Sequence, residues 1–230
     1  MSIRENLDIS AYLVVGPENT LGRPVKTIIR EAVAQGFTCI QIRSKVASAR
    51  EMIALCAEAA EVLAGLGKAD SVALLVDDRL DVVLAARAAG IKVDGIDVGQ
   101  SDIPVQVCRK FLGTDAVIGL SARFDELLDY VRTCDTTDID YFGAAPLHET
   151  MTKPEAGHTA DGRLVTRTFD ELAELHRISP VPVVVGGGVK AADLPALRAT
   201  GVEGFFVVSA VAGAADPAQA AADMVKIWTR

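Results

Sequence analysis

Short apolar runs recur along this chain, and each is followed by a stretch with apolar residues at helical spacing. The runs at 11–15, 38–43, 72–76, 95–98, 116–120, 140–143, 182–185 and 204–210 are rich in Val, Ile, Leu and Phe and read as strands. Several are apolar at nearly every position, as expected of strands buried on both faces rather than on one. Helical spacing follows at 24–35, 47–66, 78–89, 104–111, 124–131, 169–178 and 194–200. A last helix has Asp216 as its cap, Pro217 as its first residue and Ala221, Met224, Val225 and Trp228 as its buried stripe. In the third helix Leu80, Val83 and Leu84 are expected to face inward. Strand and helix alternate about eight times, near the minimum for a closed parallel barrel. The expected fold is therefore α/β, a single (β/α)₈ barrel over residues 1–230, with residues 1–10 as a short extension. An open doubly wound sheet is the competing architecture. It would carry its glycine fingerprint after the first strand, whereas here the glycines cluster late, at Gly186, Gly187 and Gly188.

The late glycines suggest a ligand. The run Val183-Val184-Val185 stops at three of them, and the next strand ends in Val207-Val208-Ser209 with Gly213 beyond. In such barrels the loops after strands seven and eight form a phosphate site, and glycine lets backbone amides approach an anion closely. A plainer reading is that these glycines only make tight turns.

Chemistry in this fold belongs at the C-terminal strand ends. The second strand ends Gln41-Ile42-Arg43-Ser44-Lys45, so Gln41, Arg43 and Lys45 share one face while Ile40 and Ile42 face helices. An amide and two cations there suit a heterocycle and phosphoryl oxygens. The third strand runs into Asp77-Asp78-Arg79 and the fourth into Gly99-Gln100-Ser101-Asp102. Asp78 and Asp102 read as helix caps and also as a carboxylate pair able to share a hard cation such as Mg²⁺. The fifth strand ends at Ser121. The sixth leads into an irregular stretch, 144–167, holding Thr150, Thr152 and Lys153, a set suited to phosphate capture.

The composition narrows the options. With a net charge of −8, a nucleic-acid or anionic membrane surface is not expected. No apolar stretch approaches a membrane span, and residues 1–10 lack the apolar core of a signal peptide. Cys39, Cys56, Cys108 and Cys134 are widely spaced and read as small core residues in a reducing cytoplasm. His148, His158 and His176 show no metal-ligand spacing.

Taken in order, these motifs resemble the thiamine-phosphate synthase family over roughly residues 12–211. Gln41-Ile42-Arg43-Ser44-Lys45, Asp77-Asp78-Arg79, Gly99-Gln100-Ser101-Asp102, Gly119-Leu120-Ser121, Thr150-Met151-Thr152-Lys153-Pro154, Gly187-Gly188-Val189 and Val207-Val208-Ser209 carry the likeness. The resemblance implies joining of a hydroxymethylpyrimidine diphosphate to a hydroxyethylthiazole phosphate, with release of pyrophosphate. It implies that Gln41, Arg43 and Lys45 hold the pyrimidine diphosphate and that Asp78 and Asp102 hold Mg²⁺. It further implies that Ser121 and Lys153 meet the leaving group, and that Thr150, Thr152, Gly187, Gly188, Val208 and Ser209 line the thiazole phosphate pocket. Lys153, Ser121 and Arg43 are the expected catalytic groups. Partners are these small molecules alone, with pairing into a homodimer through apolar helix faces as a further expectation. A thiazole tautomerase-like relative and a non-catalytic phosphate-binding barrel are the alternatives; Lys45, Asp78, Asp102 and Lys153 speak against both.

The chain departs from the family pattern twice. Asp77 stands where Asn is usual, and Asp97 where His is usual. Two roles are open to Asp77, as a second Mg²⁺ ligand or as a partner for the pyrimidine amino group. The alternation of side chains along a strand favours the second, because it points Asp77 and Asp78 to opposite sides.

Overall fold

A computed structural model describes residues 2–122, 126–150, 157–159 and 162–230. Eight parallel strands close into a barrel in sequence order: β1 (Ala11–Val15), β2 (Cys39–Ile42), β3 (Ala73–Asp77), β4 (Gly95–Val98), β5 (Val117–Ser121), β6 (Tyr141–Ala144), β7 (Val183–Val185) and β8 (Gly204–Val207). Closure is direct: β8 pairs with β1 through Ala11 opposite Phe205 and Leu13 opposite Val207. The helices between strands are α1 (Val25–Ala34), α2 (Ala49–Gly65), α3 (Leu80–Ala88), α4 (Val105–Leu112), α5 (Leu127–Thr133), α6 (Phe169–Ile178) and α7 (Leu194–Ala199), followed by α8 (Ser209–Ala212) and α9 (Pro217–Trp228).

The nearly continuous apolar runs have their expected cause. Alternate strand residues serve two cores. Leu13, Ile40, Ile42, Leu74, Val76 and Ile96 pack outward beneath the helices in the larger core. Tyr12, Val14, Cys39, Leu75, Tyr141 and Val184 fill the barrel interior. Each such aliphatic side chain, fully buried, is worth about 2 kcal/mol relative to exposure. The capping chemistry is local and legible. Ser48 and Glu51 form a reciprocal capping box at the start of α2, Thr168 caps α6 through the Glu171 amide, and Asp216 caps α9 through the Gln219 amide.

Four expectations are corrected. β8 stops at Val207, because the chain turns into α8 at Ser209 rather than staying extended to 210. Leu84 lies on the outer side of α3, 36% exposed, and Val82 takes the buried place. Residues 1–10 do more than extend the chain. Ile3, Leu7 and Ile9 pack against the interior core at the N-terminal end of the strands, and Arg4 bonds Asp140 Oδ1 at 2.6 Å and the Thr114 carbonyl at 2.6 Å. Neither Asp78 nor Asp102 caps a helix, since the residues before α3 and α4 are Arg79 and Pro104 and neither makes a side-chain cap. The start expected at 124 for the fifth helix lies outside the described residues.

Candidate active site

The C-terminal ends of β2, β3 and β4 bring the charged residues together. Arg43 follows β2 and forms an ion pair with Asp77, its Nε 3.2 Å from Asp77 Oδ2, with both side chains largely covered. Lys45 Nζ reaches Asp77 Oδ2 at 3.3 Å and Asp78 Oδ2 at 2.5 Å. The Ser44–Lys45 turn is held by Glu18, which accepts from the Ser44 hydroxyl at 2.7 Å and from the Lys45 amide at 2.9 Å. Glu18 was not singled out in the sequence, because it lies in the loop after β1 and its role appears only once β1 and β2 pair.

Asp77 and Asp78 face the same cation, contrary to the expectation that they point apart. The reason is the backbone of Asp78. Its φ of +59° takes it out of the extended strand, so the alternation of side chains ends at Asp77. Its amide still bonds the Asp97 carbonyl at 2.9 Å, which ties the turn to β4. In this structure the Asp77 carboxylate pairs with Arg43 and Lys45.

The carboxyls respond to this crowding in opposite directions. Burial, reinforced by the neighbouring Asp78 charge, pushes the Asp77 carboxyl up to about 6 despite Arg43 and Lys45. For Asp78 burial acts in the same upward sense, but the hydrogen bond and charge of Lys45 outweigh it and hold the carboxyl below its ordinary value. Asp102 is raised by burial and by the neighbouring Asp78 carboxyl. Asp102 Oδ2 also accepts from the Gly99 amide at 2.9 Å, which fixes the loop after β4. Two neighbouring carboxyls, with oxygen donors only, fit a hard divalent cation. Among the described residues no group of three or more His, Cys, Asp or Glu could hold a metal. Asp78 and Asp102 would thus need ligand or water oxygens to complete a shell.

Below this rim the interior core is polar along one line. Gln41 Nε2 donates to the Tyr12 hydroxyl at 2.8 Å, Tyr12 and Tyr141 share a hydrogen bond of 3.0 Å, and Tyr141 donates to Asp97 Oδ2 at 2.7 Å. Ser121 Oγ donates to Asp97 Oδ1 at 3.2 Å. Burial raises Asp97 to about 7 against the hydrogen bonds from Tyr141 and Ser121, and lifts both tyrosines well above their ordinary value. Room for this arrangement comes from Gly119. A Cβ there would lie 2.2 Å from Tyr141 Cζ and 2.4 Å from Asp97 Oδ2. The two tyrosines were read in the sequence only as members of apolar strands. The Ser121 hydroxyl has its proton directed at Asp97, so it presents an acceptor to the mouth until it turns.

On the opposite rim, Gly187 and Gly188 follow β7 with φ of +76° and +73°, a conformation that favours glycine, and Val208 and Ser209 follow β8. The loop after β6 is fastened to the first of these turns. The Leu147 amide bonds the Gly186 carbonyl at 2.9 Å, the His148 amide bonds the Gly187 carbonyl at 2.9 Å, and His148 Nε2 meets Asp193 Oδ2 at 3.0 Å. Thr150 stands at the end of this described segment, while Thr152 and Lys153 lie outside the described residues. The sequence-derived set therefore divides in two: Gln41, Arg43, Lys45, Asp77, Asp78, Asp102 and Ser121 on one side of the mouth, Gly187, Gly188, Val208 and Ser209 on the other.

Comparison with known proteins places the chain in a family. Residues 11–211 match the family model described as thiamine monophosphate synthase. The thiamine-phosphate synthase of Corynebacterium efficiens is 38% identical over 215 residues, covering 94% of this chain and 93% of that protein. The one from Syntrophomonas wolfei is 35% identical over 225 residues, covering 98% and 99%. Among solved structures, thiamine phosphate pyrophosphorylase from Pyrococcus furiosus superposes with a TM-score of 0.77 at 27% identity, covering 99% of this chain and 98% of that one. A 3-hexulose-6-phosphate synthase, at 15% identity and a TM-score of 0.61, shares the fold. On these matches and on the motifs at its strand ends, the chain belongs to the thiamine monophosphate synthase family.

Proposed function

We propose that this chain is a thiamine-phosphate synthase, joining hydroxymethylpyrimidine diphosphate to hydroxyethylthiazole phosphate. The carrying observation is the pairing of Lys45 with Asp78 beside Asp102 on one side of the mouth, opposite two left-handed glycines on the other. A diphosphate needs cations and oxygen-coordinated metal; a monophosphate needs close backbone approach.

The chemistry asks for little else. The bond from the pyrimidine methylene carbon to the diphosphate oxygen breaks, and its electron pair leaves with pyrophosphate. The thiazole nitrogen lone pair forms the new carbon–nitrogen bond. No protein nucleophile is required. Arg43 and Lys45 stabilise the negative charge growing on the leaving group in this reading, and Lys153 joins them. Gln41 holds the pyrimidine ring. Gly187, Gly188, Val208 and Ser209, with Thr150 and Thr152, hold the thiazole phosphate and orient the attacking nitrogen. Asp78 and Asp102 would hold Mg²⁺, which when bound supplies charge neutralisation for the pyrophosphate. Ser121 assists the leaving group after turning its hydroxyl away from Asp97.

The experiment is product analysis. Purified protein with both substrates and Mg²⁺ is expected to yield thiamine phosphate, identified by mass, and pyrophosphate in equal amounts. Pyrophosphate without thiamine phosphate, or no turnover at all, would defeat the reading.

A further inference from the structure

The buried line from Asp97 to Gln41 has a direction. Both oxygens of Asp97 accept, Oδ1 from Ser121 and Oδ2 from Tyr141. With the Tyr141 proton committed to Asp97, the 3.0 Å bond between the tyrosines can be made only by the Tyr12 proton. The Tyr12 oxygen is then free to accept, and the group bonded to it at 2.8 Å is Gln41 Nε2. An ionised Asp97, which can only accept, thus forces an N–H at the other end. The side-chain amide of Gln41 is held by its nitrogen toward the interior, and its carbonyl oxygen remains for a ligand at the mouth. A flipped amide would place Oε1 against Tyr12, which would need the Tyr12 proton, leaving two lone-pair oxygens facing each other between the tyrosines. In a buried setting an unmade bond of that kind costs about 1–3 kcal/mol.

We infer that Asp97, acting through Tyr141 and Tyr12, is a positioning residue. It fixes the Gln41 amide so that the site selects a pyrimidine bearing an exocyclic amino group over one bearing a carbonyl oxygen there. The inference rests on the functional reading above and adds to it the source of ring selectivity. An amino N–H donates to Gln41 Oε1; a carbonyl oxygen meets it acceptor to acceptor. Gly119 belongs to the same device, since any Cβ at that position would occupy the space where Tyr141 and Asp97 meet.

The test compares kcat/KM for the amino-pyrimidine diphosphate and for its pyrimidinone analogue at pH 8.5, with thiazole phosphate saturating. Wild type is expected to favour the amino compound by about a hundredfold or more, the range open to a site built on directed hydrogen bonds. Tyr141→Phe cuts the line while keeping the ring. Asp97→Asn, near in shape, lets either polarity form and serves should Tyr141→Phe fail to fold. In each the preference is expected to fall at least tenfold, with KM for the thiazole phosphate unchanged. Loss of activity by the same factor toward both pyrimidines, or an unchanged preference, overturns the inference, because a merely structural role would give that result. If wild type turns over both compounds equally, the inference falls while the functional reading stands. If wild type forms no product from the amino compound, both fall.

Discussion

Asp77 offsets positive charge that a diphosphate would use. Its carboxylate sits 3.2 Å from Arg43 and 3.3 Å from Lys45, so both cations are partly neutralised before any ligand arrives. An Asn at this position would leave them free and remove a charge that repels phosphoryl oxygens. Asp77→Asn is therefore expected to lower KM for the pyrimidine diphosphate about three- to tenfold, on the order of 1 kcal/mol for a partly screened pair, with the Mg²⁺ concentration for half-maximal rate unchanged. A higher KM in steady-state kinetics would show that Asp77 binds substrate. Asp97 makes a second residue-scale prediction. The folded protein holds its proton up to about pH 7, whereas a solvated carboxyl releases it near 3.8. The folded state thus binds more protons between those values, and stability falls as pH rises through that window. Each pH unit is worth up to about 1.4 kcal/mol. Asp97→Asn removes this dependence, so urea unfolding is expected to show the variant stabilised relative to wild type at pH 8 and near-equal at pH 4. The same difference at both pH values would contradict it.

At the scale of elements, the junction of β4, β5 and β6 depends on one missing side chain. Gly119 on β5 lies opposite Asp97 on β4 and Tyr141 on β6 in the strand register. Gly119→Ala forces atoms within about 2.4 Å of both. Overpacking of this kind costs about 1–3 kcal/mol, and a thermal scan is expected to show a clear fall in Tm together with lost turnover. A Tm within a degree of wild type would mean the junction has slack. This junction also shows what the sequence could and could not reveal. The strands were legible because residues buried on both faces, such as Leu74-Leu75-Val76, leave an unbroken apolar run. Arg43, Lys45, Asp78 and Asp102 were legible because strand ends in a barrel converge. The Tyr12–Tyr141 bond was not, since its partners are 129 residues apart and each looks like an ordinary strand aromatic. The turn at Asp78 was missed for a different reason: Asp tolerates positive φ but does not announce it as Gly does. That single turn reversed the expected direction of Asp78 relative to Asp77.

For the whole molecule, the barrel is sealed at its N-terminal end by Ile3, Leu7 and Ile9, which lie against the same interior core that carries the tyrosines. The rim at the other end is left to polar residues. Replacing Ile3 and Leu7 together by Ser is expected to destabilise the fold by about 2–4 kcal/mol, given their partial burial, and to lower Tm without altering the preference between pyrimidines. A change in that preference at unchanged Tm would mean the floor couples to the mouth. The central claim is that the two halves of the mouth join two phosphorylated heterocycles, with Asp78 and Asp102 serving the diphosphate half. The most direct measurement is the initial rate of thiamine phosphate formation for wild type and Asp78→Ala, each titrated with Mg²⁺ and each checked for folding by circular dichroism. The account predicts a wild-type rate that vanishes in excess chelator, and a folded Asp78→Ala protein slower by about a hundredfold or more, the usual scale for losing electrostatic stabilisation of a leaving group. An Asp78→Ala rate within twofold of wild type, or full wild-type turnover in chelator, would contradict it.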